Sequence, residues 1–419
     1  MPLLSLGLSL LGLLTQQPAV PSARAVHVAR MLDVESGRIL ENATVLIEGE
    51  RIRAVNPKEI PAGAEVIELG DRTLLPGLID CHTHLNSDLE GEWVRREVLE
   101  TAADAALRGA KNARATLLAG FTTVRDVGAG GFADVSLMKA IDAGWIPGPR
   151  MFPAGHAIGI TGGHADTTGY IPGVLERGPE SGIANGVDEV IAAVRHQIKH
   201  GAKLIKVCAT AGVLSFEGPV GAQQYSEEEL VALVTEAHRH GLKVAAHAHG
   251  NEGIKAAVRA GVDSIEHGSE LDDEAIALMK EHGTYLVPTD FLTEAMDMKI
   301  LPPPIRKKAE TVLPLAQASH AKAIAAGAKI AYGTDSGVYP HGLNAHEFET
   351  LGHRGMKPLD AIRSATVNAC DLLGVTDRGT IAAGKLADLI AVPGNPLTDV
   401  TVLQKVAFVM KGGAIVKGP

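Results

Sequence analysis

Aromatic side chains are scarce in this chain of 419 residues: Phe, Trp and Tyr make up 3% of it. Its core must be built mainly from Val, Ile, Leu and Ala. Cysteine is limited to Cys81, Cys208 and Cys370, an odd number without framework spacing, which excludes a disulfide scaffold. Cys81 and Cys208 fall in apolar runs that read as buried strands, where a thiol packs as a small apolar group. No Lys/Arg cluster occurs and the formal net charge is -10, so nucleic acid is not an expected partner. No segment after the first few turns of chain is long and apolar enough for a transmembrane helix, and no membrane partner is expected. No Gly-x-Ser-x-Gly elbow is present, so no covalent nucleophile is indicated.

What is present begins with a leader-like N-terminus. Residues 3–14 form an apolar run too short to span a bilayer, followed by polar and proline residues and then Ala23-Arg24-Ala25, a small-x-small pattern. Residues 1–25 are therefore expected to be a signal peptide cleaved after Ala25, sending the protein to the periplasm or outside the cell. The departure from that pattern is the lack of Lys or Arg before the run, and without export the protein would be cytoplasmic.

Hydrophobic residues at 46% and charged residues at 21% are ordinary for a globular chain of this length. Residues 26–69 read as short strands and turns: ATVLIE over 43–48, a turn at Gly49-Glu50, then RIRAV over 51–55. The C-terminus has the same texture, with short strands over 387–392 and 406–410 and a Gly412-Gly413 turn. The two β-rich ends, 26–75 and 380–419, predict one small β-sandwich domain assembled from both termini.

Between them a pattern repeats: a helix-like stretch ends in Gly and an apolar strand follows at once. Gly120, Gly201, Gly241, Gly261, Gly283 and Gly327 all stand at such junctions. Alternating helix and buried strand implies parallel pairing. With a strand over 74–85 and another near 150–154, the count is that of a (β/α)8 TIM barrel over 76–379, whose active site lies at the C-terminal ends of the strands. A doubly wound α/β sheet is the rival, but it would not bring the ends of the first, fourth, fifth, sixth and eighth strands together.

Those ends carry the chemistry. The first strand finishes with His82 and His84, which share a face because strand side chains alternate. The fourth contains Lys206 in an apolar run, the fifth ends at His247 with His249 beyond it, the sixth ends Glu266-His267-Gly268, and the eighth ends Gly333-Thr334-Asp335-Ser336. Singly, each has a structural explanation: His267 capping its strand, Asp335 capping a helix, a histidine bonded within the core. Lys206 is the hardest to explain so, because lysine is almost never fully buried without a partner. Jointly they predict a metal site.

These motifs resemble the amidohydrolase superfamily of binuclear metal hydrolases. HAHG over 247–250, IEHG over 265–268 and TGGH over 161–164 are most similar to the branch of Xaa-Pro and Xaa-Arg dipeptidases and ochratoxin-degrading amidohydrolases. The resemblance implies His82, His84 and Asp335 on one divalent ion, His247 and His267 on the other, and Lys206 bridging them as a carbamate formed with carbon dioxide. Burial lowers a lysine's pKa and exposes the neutral amine that such chemistry needs. Zn²⁺ is the expected ion for mostly imidazole ligands. Two ions ~3.5–4 Å apart can share a hydroxide. The expected mechanism is its attack on an amide carbonyl, with Asp335 moving the proton to the leaving amine.

Around this centre, His249 and His164 are expected to contact substrate. Tyr225, in the long segment beyond the fourth strand, is expected near a substrate carboxylate, and Ser87, just past the first strand, in the pocket. The expected substrates are small-molecule amides with a free carboxylate: dipeptides, N-acyl amino acids, and specifically ochratoxin A, cleaved to ochratoxin alpha and phenylalanine. The alternatives are a cyclic-amide hydrolase of imidazolonepropionase or hydantoinase type and a non-catalytic metal- or ligand-binding barrel. Lys206 argues against the imidazolonepropionase type and Asp335 against the non-catalytic barrel. Relatives often assemble as homo-oligomers, although no interface is legible in one sequence.

Overall fold

The computed structural model describes residues 23–91 and 93–418. Residues 1–22 of the expected leader lie outside the described residues. Among the described residues no helix is long and apolar enough to cross a membrane.

The chain is an α/β fold. It opens with β1 (Arg24–Asp33), β2 (Arg38–Glu48), β3 (Arg51–Val55), β4 (Glu65–Glu68) and β5 (Arg72–Pro76). Arg24 and Ala25 are already strand residues, opposite Ile47 and Leu46, so a cut after Ala25 would remove the first pairs of β1. The chain returns to this region at its far end with β13 (Leu389–Pro393), β14 (Phe408–Lys411) and β15 (Ala414–Lys417). The hydrogen-bonded order is β15-β14-β13-β5-β1-β2-β3, with β4 also on β1. In its pairing this is one eight-stranded sheet rather than two, and an Arg51–Leu386 bridge brings β3 back toward the start of β13. Val26, Val45, Ile52, Leu74, Leu389 and Phe408 pack together inside it.

The middle of the chain supplies β6 (Leu78–Thr83), β7 (Phe121–Asp126), β8 (Arg150–Pro153), β9 (Leu204–Cys208), β10 (Lys243–Ala248), β11 (Ser264–His267) and β12 (Tyr285–Val287). Every ladder among them is parallel: β6-β7-β8 and β9-β10-β11-β12. Parallel bridges Ile158–Val207, Leu286–Ile330 and Thr83–Ser336 join the two groups, so the path of pairing returns to β6. Gly201 (φ 106°) and Gly261 (φ 95°) end the helices before β9 and β11 in the left-handed conformation that the glycine pattern predicts. Capping boxes start two of the helices: Thr101 with Asp104, and Ser226 with Glu229. Each cap stabilises its helix by about 1 kcal/mol.

Two expected strands differ in detail. The run over 74–85 is divided: Gly77 donates its N–H to Asp388 in the terminal sheet, whereas Leu78 donates to Gly120 beside β7. The expected eighth strand, 328–332, forms bridges but no ladder. Its backbone bonds are shared with a third partner, because Tyr332 donates to the Ser364 carbonyl and Ile79 of β6 to that of Ala365. The C-terminal turn of the helix Pro358–Ser364 thus takes bonds from both, while Cys81 of β6 still donates directly to the Tyr332 carbonyl at 2.7 Å.

Candidate metal centre and active site

The strand ends converge as the sequence predicts. His82, His84, Lys206, His247, His249, His267 and Asp335 all line one cavity of about 800 Å³. Their ligand atoms fall into two groups, His82–His84–Asp335 and His247–His249–His267, each with its atoms within 4.8 Å of one another. In the first, the Nε2 atoms of His82 and His84 each lie 3.5 Å from Asp335 Oδ1. The His82 and His267 rings, one from each group, have centroids 5.0 Å apart.

Each imidazole is turned by a partner on its other nitrogen. His82 Nδ1 faces Glu266 Oε2 at 2.6 Å, and Glu266 is in turn paired with buried Arg125 at 2.7 Å. His84 Nδ1 donates to the Gly128 carbonyl at 3.0 Å. Thr289 spends its hydroxyl hydrogen on the Pro288 carbonyl, so His267 Nδ1 must donate to Thr289 Oγ1, at 2.8 Å. In all three the Nε2 lone pair is left toward the cavity, the arrangement in which an outer hydrogen bond fixes a metal-binding tautomer. The backbone at His267 (φ 71°) and Asp335 (φ 55°) is left-handed without being glycine. Such residues cost of order 1–3 kcal/mol each and persist where surrounding bonds over-determine them. Here Asp335 N–H is held by the His82 carbonyl at 2.7 Å.

Electrostatics follow burial. Desolvation, then the charge of Lys206, brings His84 down to about 4, and burial with the His164 charge brings His249 to about 3. His82, His247 and His267 are pushed down by burial in the same way. Burial also lowers Lys206 and raises Asp335 to about 7, the latter despite the opposing charge of Lys206. The pocket therefore favours neutral imidazoles and a less basic lysine.

These residues fit a pair of divalent cations. His247 Nε2 is buried without a hydrogen-bond partner, and Lys206, 4% exposed, has the charges of Glu266 and Asp335 acting against the lowering of its pKa by burial. Unpartnered buried nitrogen is costly, by about 1–3 kcal/mol or more when charged, unless something else occupies its lone pair. A donor set rich in imidazole, with one carboxylate and an amine open to carbon dioxide, suits zinc-like ions.

The surrounding predictions divide. His164 lines the cavity and stacks on His247 with centroids 4.1 Å apart. His249 also lines it; its Nδ1 meets Ser269 Oγ at 2.7 Å, and it stands as near His247 and His267 as a ligand would. Ser87 is exposed on the cavity wall. Tyr225 is a correction: it lies in the core, 1% exposed, and its hydroxyl donates to the Ala184 carbonyl at 2.9 Å. The segment before it folds back through a Thr210–Gln223 bridge, turning the tyrosine inward. Sequence reading gave no role to Glu266, Arg125, Thr289 or Ser269. Only Glu266 stood in a recognisable motif, beside His267.

The amidohydrolase family model matches residues 73–416. Ochratoxinase of Aspergillus niger is 39% identical over 373 residues, covering 83% of this chain and 76% of that protein. A crystal structure of a Xaa-Pro dipeptidase with methionine in its active site superposes with a TM-score of 0.90 at 41% identity, covering 95% of this chain and 100% of that one. A prolidase complexed with N-methylphosphonate-L-proline superposes with a TM-score of 0.85 at 34% identity, over 95% of this chain and 100% of that one. With the family pattern running through nearly all of the described fold and its strand-end residues gathered in one cavity, this chain belongs to the amidohydrolase family.

Proposed function

We propose that this protein is a binuclear-metal amidohydrolase, built as a (β/α)8 barrel with a small β domain from both termini. It cleaves the amide bond joining an acyl or aminoacyl group to an amino acid with a free carboxylate. The observation that carries this reading is Lys206: a buried amine that lines the same cavity as His82, His84 and Asp335 and as His247 and His267, its charge felt by imidazoles of both groups. The similarity to an ochratoxinase and to prolidases supports the substrate class, with ochratoxin A as the specific candidate.

In this reading His82, His84 and Asp335 would hold one zinc ion, His247 and His267 the other, and Lys206 would supply oxygen ligands as a carbamate. When bound, the two ions supply Lewis acidity and a water deprotonated near neutral pH. Asp335, whose carboxyl burial raises to about 7, would hold a proton and give it to the leaving amine nitrogen. His249, with Ser269 donating to its Nδ1, presents an Nε2–H to the substrate carbonyl oxygen. The apolar residues Leu89, Trp93, Leu214 and Met296 on the cavity wall cover the bulky part of the substrate and exclude water from it. The apolar run over 3–14 supports export.

The test is a chromatographic screen of dipeptides, N-acyl amino acids and ochratoxin A on metal-replete protein, with and without a chelator. Release of the free amino acid, abolished by the chelator, is expected. Opening of cyclic amides alone, or no turnover of any amide, would overturn the reading.

A further inference from the structure

His164 is fixed on every side. Its ring lies against His247, with planes 28° apart. A β-carbon at Gly212 would collide with the His164 ring, so the close approach of that ring is what demands a glycine there. Its backbone N–H goes to Gln224 Oε1 at 3.2 Å. Its Nδ1 is 2.5 Å from Ser215 Oγ and 3.4 Å from Glu217 Oε1. The same Glu217 oxygen accepts the Gly212 N–H at 2.8 Å. Lys308, on the helix Pro303–Ala325, then ties the segment down, donating to the carbonyls of Gly212 at 3.2 Å and Ser215 at 2.9 Å.

The polarity of this chain of contacts is set by its end. Glu217 has a side chain 5% exposed, and its carboxylate can only accept. Burial would raise it, but hydrogen bonds from His164, Ser215 and the Gly212 N–H outweigh that and bring it to about 2. Glu217 Oε1, 3.4 Å from His164 Nδ1, can only accept, so the hydrogen stays on Nδ1, directed to Glu217 and to the Ser215 oxygen at 2.5 Å. Nε2 is then the nitrogen left for the cavity.

We propose that Glu217 is a positioning residue: together with Ser215 on the same nitrogen it locks His164 in the Nδ1–H tautomer, so that Nε2 is a hydrogen-bond acceptor for an N–H or O–H group of the substrate. This rests on the reading of His164 as a substrate contact. It adds a carboxylate and a hydroxyl, both from the segment after β9, that meet on one imidazole nitrogen.

Two measurements on the metal-loaded protein test it. In ¹⁵N-histidine-labelled protein, two-bond ¹H–¹⁵N correlation, with the signal assigned by its loss in His164→Asn, should show His164 protonated on Nδ1 alone. Glu217→Gln should change that pattern, because its amide can donate to Nδ1. It should also lower kcat/KM about 10–100-fold with metal content and melting temperature unchanged. Glu217→Asp should recover part of the loss, and His164→Asn/Glu217→Gln should be no slower than His164→Asn alone. An Nε2–H tautomer in the unmodified protein, full activity in Glu217→Gln or in His164→Asn, or losses that multiply in the double variant would overturn the proposal. Should Glu217→Gln fail to fold, Ser215→Ala removes the other partner of the same nitrogen and is read in the same way. The tautomer needs no turnover, so a protein inactive on every amide would sink the proposed function while the spectrum still decides this one.

Discussion

His82 Nδ1 donates to Glu266 at 2.6 Å, a bond between side chains 184 positions apart in the chain. Glu266 can only accept, and its other oxygen is taken by Arg125 at 2.7 Å. The pair therefore decides which nitrogen of His82 faces Asp335. Both partners are buried, at 1% and 0% side-chain exposure, so the bond is unscreened by water.

Glu266→Gln should loosen His82 and leave the Arg125 guanidinium buried without its carboxylate. Removing one partner of such a pair costs about 3–5 kcal/mol. Loss of the outer partner of a metal-binding imidazole weakens metal affinity about 10–100-fold. Both are read on one sample, by thermal denaturation and by equilibrium dialysis against zinc. Unchanged metal affinity would mean that packing alone orients His82.

Lys206→Ala tests the bridging group directly. It should remove nearly all amide hydrolysis and reduce metal content. Adding a short-chain carboxylic acid should restore part of the turnover, because the acid supplies the two oxygens of the missing carbamate. Turnover equal to that of the unmodified protein would remove Lys206 from the chemistry.

How much of this was legible in the sequence depends on the kind of signal. His82 and His84 announce themselves because strand side chains alternate, and His247 and His267 because each follows a glycine-ended helix and an apolar strand. The orienting groups leave no such trace. The Gly128 carbonyl and the Thr289 and Ser269 hydroxyls reach the site from loops of no fixed period. Tyr225 departs from expectation because a long segment after a strand end does not face the pocket throughout: backbone pairing within it turns the tyrosine into the core. The segment bearing Asp335 was recognisable by composition, but one of its backbone bonds goes to Ser364, from a helix with no sequence link to it.

Metal uptake should depend on pH through Asp335. Its carboxyl is raised from 3.8 to about 7, first by burial. In the metal-free protein it is protonated below that value and ionised above it. A cation must displace the proton, so affinity at the His82–His84–Asp335 group should fall as pH drops from 8 to 6, by about tenfold per unit once Asp335 is protonated. His84, held down at about 4, stays neutral across that window and contributes no slope. Calorimetric titration with zinc in buffers of different ionisation enthalpy should count about one proton released at pH 6 and fewer at pH 8. A count that does not change with pH would mean that Asp335 is already ionised in the metal-free site.

His249 separates substrate contact from metal binding. Its ring is as close to His247 and His267 as those two are to each other, with centroids 4.6 and 5.0 Å away. Its Nδ1 contact is a serine hydroxyl, which can donate as well as accept, so its Nε2 is free to carry a hydrogen. His247, His249 and His267 all have ligand atoms within 4.8 Å of one another, so proximity alone does not choose. His249→Asn should keep both ions and lower kcat about 10²–10³-fold, the loss that follows removal of one donor to a developing oxyanion. Elemental analysis beside the kinetic measurement decides the matter. If one equivalent of metal is lost together with activity, His249 is a ligand and the carbonyl must be polarised by another group.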